Sequence, residues 1–173
     1  MVQGSGIFLR FPNSEDALTL FRWENDAAIQ HYTDTPKRYT LQEIQEFISN
    51  CKNVKDNGQL RFMICDKTTS TAIGTIDLYD IAWRQERGGV GVLIANEAFR
   101  GKGHATEAVD LFLEFCTVKL GISNYFCSIQ ESNAKSVKLF ERTGFTFVGR
   151  RKRWFKSDFN TWEDELMYQK LVT

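Results

Sequence analysis

Alternating apolar and polar residues predict most of the strands in this chain. Leu60–Asp66 alternates in this way, and the polar turn Lys67–Ser70 separates it from a second strand, Thr71–Tyr79. These two strands are therefore predicted to form an antiparallel hairpin. Further strands are indicated by alternation or by short apolar runs: Ile7–Phe11, Gly89–Ala95, Asn124–Gln130, Phe145–Val148, which can extend through Trp154, and Trp162–Leu171.

Apolar residues that recur every three or four positions predict four helices. The pattern Thr40–Glu43 resembles a capping box and opens a helix that runs to about Cys51. The others run from Asn13 or Ser14 to Glu24, from Gly103 or His104 to Lys119, and over Asn133–Thr143, with a short helical piece at Asp26–His31. The order of these elements predicts the α+β class.

The composition fits one domain that covers residues 1–173. Hydrophobic residues make up 42% of the chain and charged residues 25%, which excludes wholesale disorder. The 22 Lys and Arg residues balance the 22 Asp and Glu residues. Because there is no net positive charge, a broad nucleic-acid-binding surface is not indicated, and we expect no nucleic-acid partner.

Cysteine spacing and hydropathy exclude other classes of protein. The four cysteines (51, 65, 116 and 127) contain no Cys-x-x-Cys pair, and two histidines are too few to complete a zinc pattern. Cys65, Cys116 and Cys127 lie among apolar neighbours, which indicates buried structural thiols and no metal. Neither a signal peptide nor a run of about 18 apolar residues occurs, so we expect a cytoplasmic protein with no membrane partner.

The stretch Phe99–Ala108 is a glycine-rich turn between a strand and an amphipathic helix. The first turn of a helix has N–H groups without partners, and glycine lets an anion approach them. The stretch therefore predicts a phosphate or pyrophosphate site, although a loop without a ligand fits the same residues. The Walker pattern is absent, and Gly101, Gly103 and Thr106 lack the third glycine of the dinucleotide fingerprint.

Gly89 and Gly91 interrupt a strand that is otherwise largely apolar. Glycine inside a strand indicates either a ligand close to the main chain or a crowded crossing by another group. The residues alone leave both interpretations open.

Two motifs resemble those of the GCN5-related N-acetyltransferase (GNAT) superfamily. Arg100, Gly103 and Ala105 are similar to its acyl-CoA loop, whose pattern is Gln/Arg-x-x-Gly-x-Gly/Ala. About 30 residues further on, Asn133–Phe145 (Asn-Ala-Lys-Ser-Val-Lys-Leu-Phe-Glu-Arg-Thr-Gly-Phe) resembles its second motif. Together these two motifs are specific.

The resemblance covers essentially the whole chain, because the order of elements is similar from Ile7 onward. Trp23–Asp26 and Trp162–Glu165 are similar to the RimJ/RimL-type branch of the superfamily. The resemblance implies a mixed, mostly antiparallel sheet of six to seven strands, flanked by about four helices. Two central strands, Gly89–Ala95 and Asn124–Gln130, would splay apart around the coenzyme.

The resemblance also implies an activity. Acetyl-CoA would be the cosubstrate, no metal would be needed, and a primary amine would attack the thioester directly. The acceptor would be a protein or peptide N-terminus or a small polyamine-like amine, and the enzyme a monomer or homodimer. The alternative is a non-catalytic acyl-CoA-binding sensor, since Phe140 stands where many relatives have a tyrosine.

Coenzyme-binding residues are implied by position within the two motifs. The pantetheine and the oxyanion would bond to main chain at Val92, Leu93 and Ile94. Asn133 would bond the pantetheine or only cap its helix, and Ser136 and Phe140 would lie beside it. The pyrophosphate would rest on the loop residues Arg100, Gly101, Lys102, Gly103, His104, Ala105 and Thr106.

Proton transfer requires an acid and a base, because an amine is protonated near neutral pH. Asp77 and Asp80 are the first candidates for the base, followed by Glu131 and Asp164. Ser136 matches a serine that acts as the acid in some relatives, in place of the hydroxyl that phenylalanine lacks. A helix-surface serine fits the same position.

The acceptor is the least determined part of the prediction. A polyamine would require acids that converge, for which Glu43, Glu46, Asp77 and Asp80 are candidates. A peptide N-terminus would require an open groove. Aromatic residues that could line either site are Trp23, Tyr32, Tyr39 and Trp83.

Overall fold

The computed structural model describes residues 1–30, 37–156 and 160–172. Within these ranges eight strands form one sheet. The strands are β1 (Val2–Gln3), β2 (Ile7–Arg10), β3 (Leu60–Asp66), β4 (Ala72–Ala82), β5 (Arg87–Ile94), β6 (Asn124–Gln130), β7 (Thr146–Lys156) and β8 (Trp162–Leu171). The helices are α1 (Ala17–Glu24), α2 (Ala27–Gln30), α3 (Leu41–Asn50), α4 (Val54–Asn57), α5 (His104–Leu120) and α6 (Ala134–Arg142).

The strand order is β1-β2-β3-β4-β5-β6-β8-β7, and every neighbouring pair is antiparallel except β5 and β6. The predicted α+β class and mixed, mostly antiparallel sheet are confirmed. The sheet has one strand more than the six to seven predicted, because β1 is too short to show alternation. The four predicted helices are α1, α3, α5 and α6, whereas α2 and α4 are single turns. His31, the last residue predicted for α2, lies outside the described residues.

Alternation in β3 divides the core between the two faces of the sheet. Leu60, Phe62 and Ile64 pack with α5 in the larger cluster, where the Phe62 ring lies edge-on to Phe112. Met63 and Cys65 pack on the other face against α1 and α3. The strand residues in this second cluster come from β2, β3 and β4.

Two strands are longer than their alternation predicts. β4 continues to Ala82 through a register shift at which Asp80 has a φ of +48°. β7 continues to Lys156 through a second shift that contains Arg153, at a φ of +53°. A bulge moves the following side chains to the other face, so the pattern is lost although the strand goes on.

All four cysteines are buried and free. Burial raises the pKa of the Cys116 and Cys127 thiols, which keeps them protonated and unreactive at neutral pH. No helix among the described residues is both long enough and apolar enough to cross a membrane.

Candidate active site

The strands β5 and β6 separate in the middle of the sheet. They pair only at Arg87–Gly89, opposite Asn124–Phe126. Beyond that point β5 follows β4 to Ile94, while β6 follows β8 to Gln130. The two strands therefore enclose a gap that begins at Gly89 and Phe126, as predicted for the splayed pair.

The loop before α5 presents unpaired amides at the open end of this gap. Gly101 and Gly103 have φ of +75° and +88°, conformations that favour glycine. None of the backbone N–H groups of residues 101–106 has an acceptor among the described residues. These amides and the N-terminus of a 17-residue helix form a site suited to a phosphate group.

Arg100 stabilises the turn that joins β5 to the loop. Its guanidinium donates to the carbonyl oxygen of Ile94 at 2.9 Å and to Glu97 at 2.8 Å. Lys102 is exposed, and its ammonium lies 5.3 Å from the centre of the Phe99 ring. Of the two predicted cations, Arg100 thus holds the turn that follows β5, and Lys102 is free to approach a ligand.

Arg142 is a cation at this loop that the sequence analysis missed. It lies in the last turn of α6 and donates to the hydroxyl of Thr106 at 2.9 Å. The only local signal was a basic residue near a helix end, which the helix dipole explains without any ligand. The contact joins residues 36 positions apart and depends on how α6 packs on α5.

The first turn of α5 also holds the N-terminal segment. The Glu107 carboxylate accepts hydrogen bonds from the Ser5 N–H, from its hydroxyl at 2.8 Å and from the Gly6 N–H at 3.0 Å. A Cβ on Gly4 would lie 2.4 Å from the same carboxylate, so a larger residue there would displace the Glu107 side chain. Burial acts to raise the pKa of Glu107, but these hydrogen bonds outweigh it and the pKa is lowered overall.

This lowered pKa predicts a pH-dependent contribution to stability. The ionised Glu107 stabilises the fold above its unfolded pKa, and the contribution is lost as pH falls through the lower, folded value. Between pH 7 and pH 3 we expect the wild type to lose about 1 kcal/mol more unfolding free energy than Glu107→Gln. Urea unfolding at both pH values measures this. Glu114→Gln, an exposed residue of the same helix, should behave like wild type, and equal losses in all three proteins would contradict the assignment.

Residues of the second motif lie at the start of α6 and on its buried side. Asn133 caps the helix, since its side-chain oxygen accepts from the Ser136 N–H at 3.2 Å. Ser136 is half-buried in the first turn. Phe140 is buried and packs edge-on against Phe145 at 5.0 Å. Capping thus accounts for Asn133 and core packing for Phe140, while their roles toward a coenzyme stay predictions.

The two first-choice bases, Asp77 and Asp80, differ in the hydrogen bonds and ion pairs that their carboxylates form. The Asp77 carboxylate accepts from Arg61 at 2.6 Å and from Gln59 at 3.1 Å. Asp80, by contrast, is exposed at a bulge and has no hydrogen bond or ion pair to any residue that the structure describes. The structure therefore leaves Asp80 the more available carboxylate of the pair.

The two second-choice acids share one arginine. Arg150 pairs with Glu131 at 2.7 Å and with Asp164 at 3.2 Å. The Arg153 N–H also donates to Asp164 and, together with Arg150, lowers the pKa of that carboxyl. A lowered pKa makes Asp164 a weaker base than an ordinary carboxylate.

Tyr79 explains one of the glycines of β5, Gly89. Its ring lies across the strand, so a Cβ on Gly89 would be 2.4 Å from the ring and one on Gly91 would be 3.7 Å away. The ring also lies edge-on to Phe126 at 5.9 Å, where β5 and β6 separate. The crowded crossing is thus the correct interpretation at Gly89. Tyr79 is a second group at the gap that the sequence analysis missed.

Two of the acids proposed for a polyamine, Glu43 and Glu46, are bound by residues of α3 and the segment before it. Glu43 belongs to the capping box with Thr40 and pairs with Lys37 at 2.9 Å. Glu46 accepts from Gln42 within α3. The aromatic residues are dispersed: Trp23 and Tyr39 pack beside the α1–α3 core, Trp83 packs beside the α5 core, and Tyr32 lies outside the described residues.

The mixed sheet, the gap between β5 and β6 and the glycine-rich loop before α5 agree with the architecture that the motifs predicted. The sequence profile described as "Acetyltransferase (GNAT) domain" matches residues 7–146. The chain belongs to this family.

Particular relatives lie at some distance in sequence. The N-acetyltransferase 9-like protein of Caenorhabditis briggsae is 28% identical over 130 residues, which are 70% of this chain. The chain spans only 64% of that relative's length.

Solved structures of similar fold cover nearly the whole chain. One is the spermidine N-acetyltransferase from Vibrio cholerae in complex with CoA and spermine, with a TM-score of 0.84 and 22% identity, covering 97% of this chain and 96% of that one. Another is RimL, the ribosomal L7/L12 alpha-N-protein acetyltransferase, in complex with coenzyme A. Its TM-score is 0.84 at 16% identity, with 98% and 96% of the two chains covered.

Proposed function

We propose that residues 1–173 act as one domain that moves an acetyl group from acetyl-CoA to a primary amine. The observation that carries this proposal is the continuity of the β5–β6 gap with the unpaired amides of residues 101–106. A gap between strands suits an extended pantetheine arm, and a helix N-terminus suits a pyrophosphate. The acceptor is a peptide N-terminus or a small amine, and the working species is a monomer or homodimer.

The coenzyme would contact three parts of the chain. The pyrophosphate would rest on the amides of residues 101–106, with Arg142 and Lys102 adding positive charge. The pantetheine would bond to main chain at Val92–Ile94, on the side of β5 that β6 has left. Asn133 and Ser136 would face it from the start of α6.

The reaction needs one base and a stabilised oxyanion. The amine nitrogen attacks the carbonyl carbon of the thioester, the C–N bond forms, and the C–S bond breaks with its electron pair passing to sulfur. The amine proton goes to Asp80, directly or through water, because Asp77 is already paired with Arg61. A main-chain N–H of Val92–Ile94 would hold the oxyanion.

Ser136 is the proposed donor for the departing thiolate. The thiol has an ordinary pKa of about 8.5, so the thiolate is a fair leaving group and the expected effect is modest. We expect Ser136→Ala to lower kcat roughly 10-fold without changing the KM for acetyl-CoA. Steady-state thiol release measures both constants. Ser132→Ala, on the exposed turn before α6, is the matched control, and wild-type turnover in Ser136→Ala would remove Ser136 from the mechanism.

A sensor that binds acyl-CoA without catalysis is the second candidate. It is favoured by Phe140, which has no hydroxyl and is buried in the core. Thiol release from acetyl-CoA in the presence of peptides, spermidine or amino sugars distinguishes the two. Release that depends on an acceptor supports the enzyme. Coenzyme binding without release in any mixture supports the sensor.

A further inference from the structure

A pocket of about 520 Å³ opens on the sheet face opposite α5, beside the point where β5 and β6 separate. Tyr125 and Cys127 of β6 belong to the α5 core, so Phe126 faces the other way, toward this pocket. We call it the acceptor pocket. Its lining residues are Asp80, Arg87, Asn124, Phe126, Arg151 and Gln169.

Two arginines line the acceptor pocket, and they differ in their partners. Arg151 pairs with the buried carboxylate of Glu165 at 2.6 Å and stacks over Trp154. Arg87 is exposed and has no carboxylate within 4.0 Å among the residues that the structure describes. Since Glu165 neutralises Arg151, the Arg87 guanidinium supplies the uncompensated positive charge.

Asp80 supplies the opposite charge within the same pocket. It forms no ion pair with Arg87, although both line the pocket, so each is available to a ligand. Asn124 adds an amide, whose oxygen accepts from Gln169 at 2.9 Å, which leaves its NH2 group as a donor. The pocket therefore offers one carboxylate to a cation and several N–H donors to an anion.

We infer that the acceptor carries a carboxylate or phosphate close to its reactive amine. The ammonium approaches Asp80, next to the thioester gap, and the anionic group is held by Arg87 with Asn124 beside it. A guanidinium suits this task because it presents paired N–H donors that match two oxygens. The inference names the substrate class for the proposed acetyl transfer and rests on that function.

The same charges disfavour a polyamine. Its second ammonium group would face Arg87, whose charge is uncompensated, rather than a further unpaired carboxylate. The remaining candidate acid nearby, Asp77, is neutralised by Arg61. An acceptor with two or more positive charges and no negative one thus loses affinity in this pocket.

The test compares matched acceptors that differ in one charge. One pair is a peptide that begins with Glu and the same peptide that begins with Gln. A second pair is glucosamine 6-phosphate and glucosamine, which separates a peptide carboxylate from a small phosphate. Spermidine completes the panel. For the wild type we expect kcat/KM to be at least 10-fold higher for the anionic member of one pair, and higher for it than for spermidine.

Arg87→Gln should remove this preference. We expect it to lower kcat/KM for the anionic acceptor at least 10-fold more than for its neutral partner, with the KM for acetyl-CoA unchanged. Arg87→Lys keeps the charge and should retain part of the preference. Arg84→Gln, an exposed arginine of the preceding turn that does not line the pocket, should retain all of it.

The outcomes separate the inference from the function on which it rests. Equal kcat/KM for the two members of both pairs, or the highest kcat/KM with spermidine, would contradict the anionic acceptor. The proposed acetyl transfer would stand in either case. A preference that survives Arg87→Gln overturns the assignment to this pocket. Coenzyme binding without turnover of any amine overturns the proposed function and the inference together.

Discussion

Replacing Gly103 with tryptophan should abolish acetyl-CoA binding while the protein stays folded. Gly103 has a φ of +88°, and a Cβ there would meet no atom within 4 Å, so an indole would project into open space rather than into the protein. Gly103 belongs to the loop of residues 101–106, on whose unpaired amides the pyrophosphate is proposed to rest. We expect at least a 100-fold loss of affinity, about 2.7 kcal/mol, by titration calorimetry.

The control for this variant lies at the other end of the same helix. Gly121 has a φ of +70° and the same open surroundings, so Gly121→Trp introduces the same kind of backbone strain, roughly 1–3 kcal/mol, far from the loop. Both variants should lose similar stability in thermal unfolding. Only Gly103→Trp should lose the coenzyme, and unchanged affinity in that variant would show that the loop is not the phosphate site.

The largest loss of stability is expected at Arg61. Its side chain is 15% exposed and lies between Asp77, at 2.6 Å, and Glu24, with the guanidinium 5.3 Å from the Phe47 ring centre. Arg61→Met would leave two partly buried carboxylates without their cation. We therefore expect a loss of roughly 3–5 kcal/mol in unfolding free energy, measured in urea.

Arg150 provides the matched comparison for this prediction. It also pairs with two carboxylates, Glu131 and Asp164, but is 41% exposed, so water screens the charges that Arg150→Met would leave. That variant should lose much less unfolding free energy than Arg61→Met. Adding Glu24→Gln and Asp77→Asn to Arg61→Met should restore much of the stability. Equal effects at the two arginines would contradict the burial argument.

The Arg61 cluster also bears on catalysis. Asp77 and Asp80 were predicted together as candidate bases, because both lie at the end of the same predicted strand. The structure gives them different surroundings: Asp77 is held by Arg61 between β3 and β4, and Asp80 is exposed at a bulge that opens on the acceptor pocket. Spacing along a strand could not distinguish them, since the distinguishing partner is 16 positions away.

Features that depend on neighbouring residues could be predicted from the sequence. The capping box at Thr40 and Glu43, the alternation of β3 and the glycine-rich start of α5 are all encoded within a few positions. Their conformations follow from local sterics and local hydrogen bonds, so they could be predicted without knowing the rest of the chain. The two motifs of the family lie in such segments, which is why membership could be inferred from them.

Contacts between distant residues, by contrast, could not be predicted without the folded chain. The separation of β5 from β6, the crossing of Tyr79 over Gly89, and the approach of Arg142 to Thr106 each join parts of the chain that no local pattern relates. The same holds for the pairing of Arg61 with Glu24, 37 positions away. These contacts depend on strand register and helix packing, which are set by burial of the whole core and not by any single segment.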